Sequence, residues 1–318
     1  MAGLEWSRII GQEKAIELLR RAIDRDYIAP AYIFAGAAGI GRVLTAKCFC
    51  QDLLCIGLEA DRRESSRKRF LVSNHPDFLR VEPTYQHQGR LYTAAEAKES
   101  GLKRKTAPQI RIEQVRDITR FLSRPPLESS RSVVVIEDAH TMTEAAANAL
   151  LKTLEEPGRA TLILIAPSTE ALLPTLVSRS QRIPFSRLSE SDLERILREN
   201  GRERVLEYPA LLGLAQGSAG EAIAGLEILE GLPEDLPRSL DRFISQRLSK
   251  AIELAKSIAA ALDTEAQLWY INFLQYEDWQ KRQDRSTVEI LERARRYLLS
   301  YVQPRLVWEC TLLELAKR

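Results

Sequence analysis

Arg131-Ser-Val-Val-Val-Ile-Glu137-Asp138-Ala-His140 is the stretch whose reading decides the fold. Its run from Ser132 to Ile136 is continuous and apolar, without the alternation of a half-exposed strand, which predicts a central parallel strand buried on both faces. Glu137 and Asp138 stand at the carboxyl end of that strand, where open α/β sheets place ligand chemistry. Downstream, Thr143 is placed to cap an Ala/Leu-rich helix of high propensity, which ends at Glu155-Glu156-Pro157. Thr161 to Ala166 predicts the next strand, and Pro174 to Arg179 a short helix that delivers Arg179 ahead of Ser180.

Upstream, Ala31-Tyr-Ile-Phe-Ala35 predicts a short buried strand that runs straight into Gly36-Ala-Ala-Gly39-Ile-Gly41-Arg42-Val43. A glycine-rich turn between a strand and a helix can cradle phosphate, because glycines let backbone N–H groups converge on the anion at the positive end of the helix. The spacing fits that use, but the two side chains that carry the chemistry differ. Arg42 stands where a lysine would reach the phosphates, and it is bulkier and planar. Val43 stands where a hydroxyl would ligate magnesium, and valine cannot. A glycine turn that simply packs a helix on a sheet accounts for the same residues. The two acids are open in the same way. In an active NTPase the first would hold the metal and the second would polarise the attacking water; at an inactive site both serve as hydrogen-bond acceptors. An apolar strand ending in acids, a helix, a second strand and then an arginine is nevertheless the layout of nucleotide-handling machines.

Working outward, helices are predicted over Trp6 to Ile23, after a short loop, and over Ile110 to Leu122, with Asp77 to Pro83 as a further strand. Strands near 31, 77, 132, 161 and 181 with helices between them give a five-stranded doubly wound α/β core. Residues 56–74, with Asp61 to Arg69 at their centre, read as a charged surface excursion; the polar stretch Thr84 to Pro108, with Lys98, Lys103, Arg104 and Lys105, reads as a long loop. After Phe185 the pattern is helical throughout, and Gly231 to Pro237 punctuates it. The expected domains are 1–185 for the α/β core, 186–234 for a small helical unit and 235–318 for a helical domain. The last carries Trp269, Tyr270, Phe273, Trp279, Tyr297, Tyr301 and Trp308, enough aromatic surface for a core and a subunit interface.

The 318 residues are 45% hydrophobic and 28% charged, which describes an ordinary soluble protein of more than one domain. No apolar run reaches the roughly eighteen residues of a membrane span, and no secretion signal is evident at the start, so a cytoplasmic location without membrane contact is expected. A net charge of +2 confines any nucleic-acid contact to local patches such as Arg62 to Arg69. Cys48, Cys50, Cys55 and Cys310 lack the paired spacing that zinc needs and are expected to be buried free thiols.

Five segments resemble the AAA+ clamp-loader subunits of the bacterial replicative polymerase: Ile10-Gly11-Gln12-Glu13-Lys14, Phe34 to Gly41, His75-Pro76-Asp77, Asn148-Ala-Leu-Leu-Lys-Thr-Leu-Glu-Glu-Pro157 and Leu172-Leu-Pro-Thr-Leu-Val-Ser-Arg179. The resemblance covers essentially the whole chain, and the Asn148 to Pro157 run is its most specific part. It implies an AAA+ five-stranded parallel sheet with helices on both faces, then a helical lid and a helical collar. It also implies partners, namely γ/τ-like ATPases and a δ-like subunit in a ring of five, with the sliding clamp and primed DNA met through the complex.

Residue by residue, the resemblance makes Arg179, beside Ser178, an arginine finger that enters a neighbouring subunit's ATP site. Such a finger is worth on the order of 10³ to 10⁵ in rate. Gly36, Gly39, Gly41, Arg42, Val43, Glu137 and Asp138 fall on the chain's own nucleotide site, which departs from active members at Arg42 and Val43. The lid arginine position falls on Gly220, and the polar sensor falls near Ala166-Pro167-Ser168. Relatives that carry zinc insert four cysteines, of which this chain keeps only Cys55, so no metal and no cofactor are expected. The implied role is a non-hydrolysing stator; the alternatives are an ATP-hydrolysing motor subunit and a DNA-binding AAA+ module.

Overall fold

The computed structural model describes residues 4–102, 107–232 and 248–317, apart from the side chains of residues 248 and 249. Lys103, Arg104, Lys105 and the punctuation beyond residue 232, including the expected 234/235 boundary, lie outside the described residues. The chain forms two compact units, residues 1–188 and 189–318.

The first unit is built on a parallel sheet. Strands β1 (Ala31–Ala35), β2 (Phe78–Val81), β5 (Ser132–Ile136), β6 (Ala160–Ala166) and β7 (Gln181–Pro184) line up in the order β2-β5-β6-β1-β7. Every pairing among them is parallel. Alternate side chains of the three central strands feed two separate cores, as the two-residue period of a strand requires. Val134 and Ile136 of β5, Leu162 and Leu164 of β6 and Ile33 of β1 join one core, together with Val115 and Ile118 of α5 (Ile112–Leu122) and Ala146, Ala147 and Leu150 of α6 (Glu144–Glu155). Val133, Val135, Ile163, Ile165, Tyr32 and Phe34 join the other, with Ala15 and Leu19 of α1 (Glu13–Asp24) and Ala46, Phe49 and Leu53 of α2 (Arg42–Leu54). That double covering is why these strands read as unbroken apolar runs.

Two stretches expected to be irregular are regular. Residues 60–71 form a helix, α3 (Ala60–Leu71), whose charged face is solvated while Ser66 and Phe70 are buried. The Phe70 ring meets Phe78 edge-on at 4.7 Å and Ser66 bonds His75, and these anchors turn the charged excursion into a packed element. Within 84–108 the chain forms a hairpin, β3 (Tyr85–His87) and β4 (Arg90–Tyr92), followed by α4 (Ala94–Glu99). Its two-residue turn uses Gln88 at φ 48° and Gly89 at φ 79°, the double left-handed geometry that tight hairpins favour. Thr93 and Glu96 close a reciprocal capping box at the start of α4.

The His75-Pro76-Asp77 turn is structural. The buried Asp77 carboxylate accepts backbone N–H bonds from Leu127 at 2.6 Å, Glu128 at 2.9 Å and Ser129 at 2.8 Å, which ties the 127–129 loop beneath the sheet. His75 Nδ1 accepts from the Asp77 N–H at 3.1 Å, so the proton sits on Nε2, 2.9 Å from Ser66 Oγ. Burial holds the His75 imidazole below its ordinary pKa of 6.5, against the opposing pull of Asp77 and Glu128.

The second unit is helical across its described residues: α8 (Glu190–Glu199), α9 (Pro209–Ala215), α10 (Ala219–Gly231), α11 (Leu248–Ala261), α12 (Thr264–Lys281), α13 (Arg285–Leu299) and α14 (Pro304–Leu315). Ser189, Ser218, Asp263 and Asp284 cap four of these with side-chain oxygens. Gly225 lets α10 approach α12 closely, since a Cβ there would lie 2.6 Å from the Trp269 ring. The aromatic residues divide. Tyr270, Phe273 and Trp308 are buried, and Trp308 Nε1 donates to the buried Gln267 at 2.9 Å; Trp279, Tyr297 and Tyr301 are exposed.

Cys48, Cys50 and Cys55 are buried, but Cys310 is exposed on α14, which corrects the expectation of four buried thiols. Its helix turns Val307, Trp308, Thr311 and Leu312 inward and leaves position 310 on the outer face. Burial raises the Cys48 thiol to about 11 and raises Cys50 further.

Two outcomes follow from these environments. Native protein should release color from a disulfide reagent at one thiol, Cys310, with the other three reacting only in denaturant; a second fast thiol would contradict the buried cluster. For His75 the unfolded chain binds more protons than the native one between its depressed folded pKa and 6.5, so its contribution is present above pH 6.5 and is lost as pH falls through the folded value. Denaturant titrations from pH 8 to 5 should show the stability gap between wild type and His75→Gln narrowing toward low pH.

Candidate functional site

The carboxyl ends of β1, β5 and β6 bring the glycine turn, the two acids and Ala166 to one edge of the sheet, as parallel pairing demands. Gly36 opens the turn, and its N–H donates to the Ala166 carbonyl at 3.2 Å. A Cβ at Gly36 would lie 2.8 Å from both the Cβ and the carbonyl oxygen of Phe185, so close packing alone demands glycine here. Gly39 and Gly41 take φ of 71° and 102°, and Gly41 starts α2 from a left-handed conformation that strains other residues.

Arg42 is buried at the head of α2. Its Nη1 donates to the Ala166 carbonyl at 2.5 Å, so the guanidinium is turned into the end of β6. Burial lowers its pKa and the nearby Asp138 carboxylate opposes that shift. Val43 carries no metal-ligating atom. Glu137, with a side chain 15% exposed, accepts both ends of the Arg80 fork, from Nε at 2.7 Å and from Nη2 at 3.0 Å. Arg80 lies on β2 and also meets Glu82 at 3.1 Å. Asp138 is exposed, with its backbone left-handed at φ 47°; its carbonyl accepts from both the N–H and the hydroxyl of Thr141 at 2.8 Å. The glycine turn, Arg42 and the acids are thus gathered at one edge, and the first acid is paired with an arginine.

A magnesium–nucleotide group does not fit these residues as they stand. The loop cation is bonded to a backbone carbonyl, the hydroxyl position is apolar, and Glu137 already neutralises a guanidinium. Among the described residues, no group of three or more His, Cys, Asp or Glu side chains is arranged to hold a metal ion. Gly220 sits in the first turn of α10 and supplies no side chain where the resemblance implies an arginine. Ser168 is partly buried just past β6.

Arg179 stands apart from that edge, at the end of α7 (Pro174–Ser178). Its side chain is 40% exposed, meets Glu155 at 3.2 Å and donates to the Thr175 carbonyl at 3.2 Å. Ser178 Oγ also donates to the Thr175 carbonyl, at 3.0 Å, and Ser180 Oγ to that of Leu176 at 2.8 Å, so both serines finish the helix. The sequence reading had given no role to two residues that organise the edge. Gln12, buried, donates to the carbonyls of Ile40 at 3.0 Å and Ser186 at 2.8 Å and accepts from the Ser186 N–H. Arg80 was not singled out, because only the β2–β5 register, with Arg80 opposite Val135, brings it to Glu137.

The basic run on α3 is largely answered within the chain. Arg63 donates to the Leu58 carbonyl, Lys68 meets Glu64, Arg69 meets Glu128, and Arg67 lies 3.9 Å from Asp52.

Comparison with known proteins agrees with this architecture. A family profile described as "DNA polymerase III, delta subunit" matches residues 11–189, more than half of the chain, and one described as "Cyanobacterial DNA polymerase III delta prime, C-terminal domain" matches residues 191–315. The DNA polymerase III subunit delta' of Bacillus subtilis is 33% identical over 186 residues, covering 58% of this chain and 50% of that protein. The subunit of the same name from Pseudomonas aeruginosa is 33% identical over 193 residues, covering 58% and 53%. The chain therefore spans about half the length of the curated relatives it matches. Its fold is shared with a DNA polymerase III gamma subunit-related protein from Thermotoga maritima, at a TM-score of 0.56 and 18% identity over 96% of this chain and 99% of that one. An AAA+ α/β core followed by helical structure, matched by these profiles on both sides of residue 190, makes the chain a delta-prime-like member of the DNA polymerase III clamp-loader subunit family.

Proposed function

We propose that this chain is a stator subunit of the DNA polymerase III clamp loader. It does not hydrolyse ATP itself; it holds a position in a cytoplasmic ring with γ/τ-like ATPases and a δ-like subunit, and it lends Arg179 to a neighbour's ATP site. The ring uses that hydrolysis to load the sliding clamp onto primed DNA. The division of the second unit into a lid and a collar that closes the ring belongs to the same proposal.

The observation that carries this reading is the contrast between two arginines. Arg42 is buried and committed to the Ala166 carbonyl, whereas Arg179 is held by a solvent-exposed pair with Glu155. Exposed pairs of that kind contribute about 0.2–1 kcal/mol, so Arg179 can leave Glu155 for a phosphate at small cost. A motor-subunit reading would need Arg42 to release a buried hydrogen bond, and a DNA-binding reading would rest on α3 cations that are mostly paired internally. Both draw less support.

In a reconstituted loader, Arg179→Ala should leave assembly intact and reduce turnover at the one interface it serves by on the order of 10³ or more, seen as lower DNA-dependent ATPase. Glu155→Ala removes only the resting ion pair and should leave that rate unchanged. Full ATPase in the Arg179 variant would overturn the proposal.

A further inference from the structure

The first acid of the disabled site is not idle. Arg80 and Glu137 lie on neighbouring parallel strands, with Arg80 in register with Val135, two residues before the acid. Side chains two apart on a strand share a face. Val135 belongs to the core that α2 covers, so Arg80 and Glu137 face α2. Val43, Arg80 and Glu137 accordingly line a single cavity of about 200 Å³, shared with Lys47 and Phe78. The position that would offer a hydroxyl to a metal, the acid that would bind it and a guanidinium thus surround one small space.

We propose that Arg80 is the resident cation of this site, a positioning residue whose guanidinium neutralises Glu137 where a divalent ion would otherwise do so. This rests on the reading of the chain as non-hydrolysing and adds a second reason, beyond the glycine loop, that the site does not take a metal. A carboxylate engaged by both arms of an arginine fork is charge-matched and geometrically satisfied. Magnesium demands near-ideal octahedral oxygen ligands, and to use Glu137 it must break a two-armed fork and sit beside Lys47 in the same small cavity. Repairing the glycine loop is therefore insufficient to restore nucleotide binding, because a second cation blocks the metal from the opposite strand.

The experiment compares the isolated chain in four forms, wild type, Arg80→Met, R42K/V43T and R42K/V43T/R80M, by calorimetric titration with ATP in excess magnesium. Far-UV circular dichroism checks that each is folded. Methionine keeps the arginine stem over the cavity wall, and Arg80→Gln repeats the comparison where the methionine variant does not fold. The loop-repaired double variant should bind no more than about threefold tighter than wild type, and the triple variant at least tenfold tighter than the double. Equal affinities in the double and triple variants, whether weak or strong, would overturn the role of Arg80 and leave the stator reading standing. Wild-type binding as tight as the triple variant's would overturn both this role and the disabled site beneath it. Arg179 takes no part in the measurement, so failure of the arginine-finger assay in the ring is a separate result.

Discussion

A parallel strand covered on both faces can carry charge only at its ends. β5 and β6 are buried along their whole length, so Glu137, Asp138 and the turn after β1 are driven to one rim of the sheet. At that rim the fold answers its own charges. Arg42 turns into the end of β6, and Glu137 takes the Arg80 fork. The rim is thereby complete within one chain, while Arg179 stands apart at the end of a short helix, paired with Glu155.

How much of this was legible in the residues depends on the range over which each signal acts. The central strands were readable to within a residue or two, because burial on both faces leaves a local mark, an unbroken β-branched run. The helix that begins after its Thr143 cap was equally readable. The charged stretch around Arg62 was read as a surface excursion, since what anchors it, Phe70 against Phe78 and Ser66 against His75, are tertiary contacts that no periodicity announces. The hairpin at Gln88-Gly89 was missed for a different reason. Glutamine is an uncommon residue for a left-handed turn position, so the dipeptide does not carry the signal that asparagine-glycine would.

At the site, the departures at Arg42 and Val43 were visible as identities, but their consequences were not. That the arginine folds inward instead of projecting from the loop depends on the Ala166 carbonyl, 124 residues away in the chain. The pairing of Arg80 with Glu137 depends on strand register, which a one-residue slip would abolish. Cys310 illustrates the same limit on a helix: its helical face, not its residue type, sets its exposure.

Gln12 is a single amide whose three hydrogen bonds hold two stretches of backbone. Through Ile40 it holds the glycine turn, and through Ser186 it holds the chain as it leaves β7, two residues before the first unit ends. A turn free to breathe around a ligand would have to stretch one of these bonds. Here the turn and the exit from the sheet are fastened to the same buried bracket. On the proposed reading, in which Arg179 is lent to a neighbouring subunit, that shared fastening would let the sheet that carries α7 serve as a fixed wall.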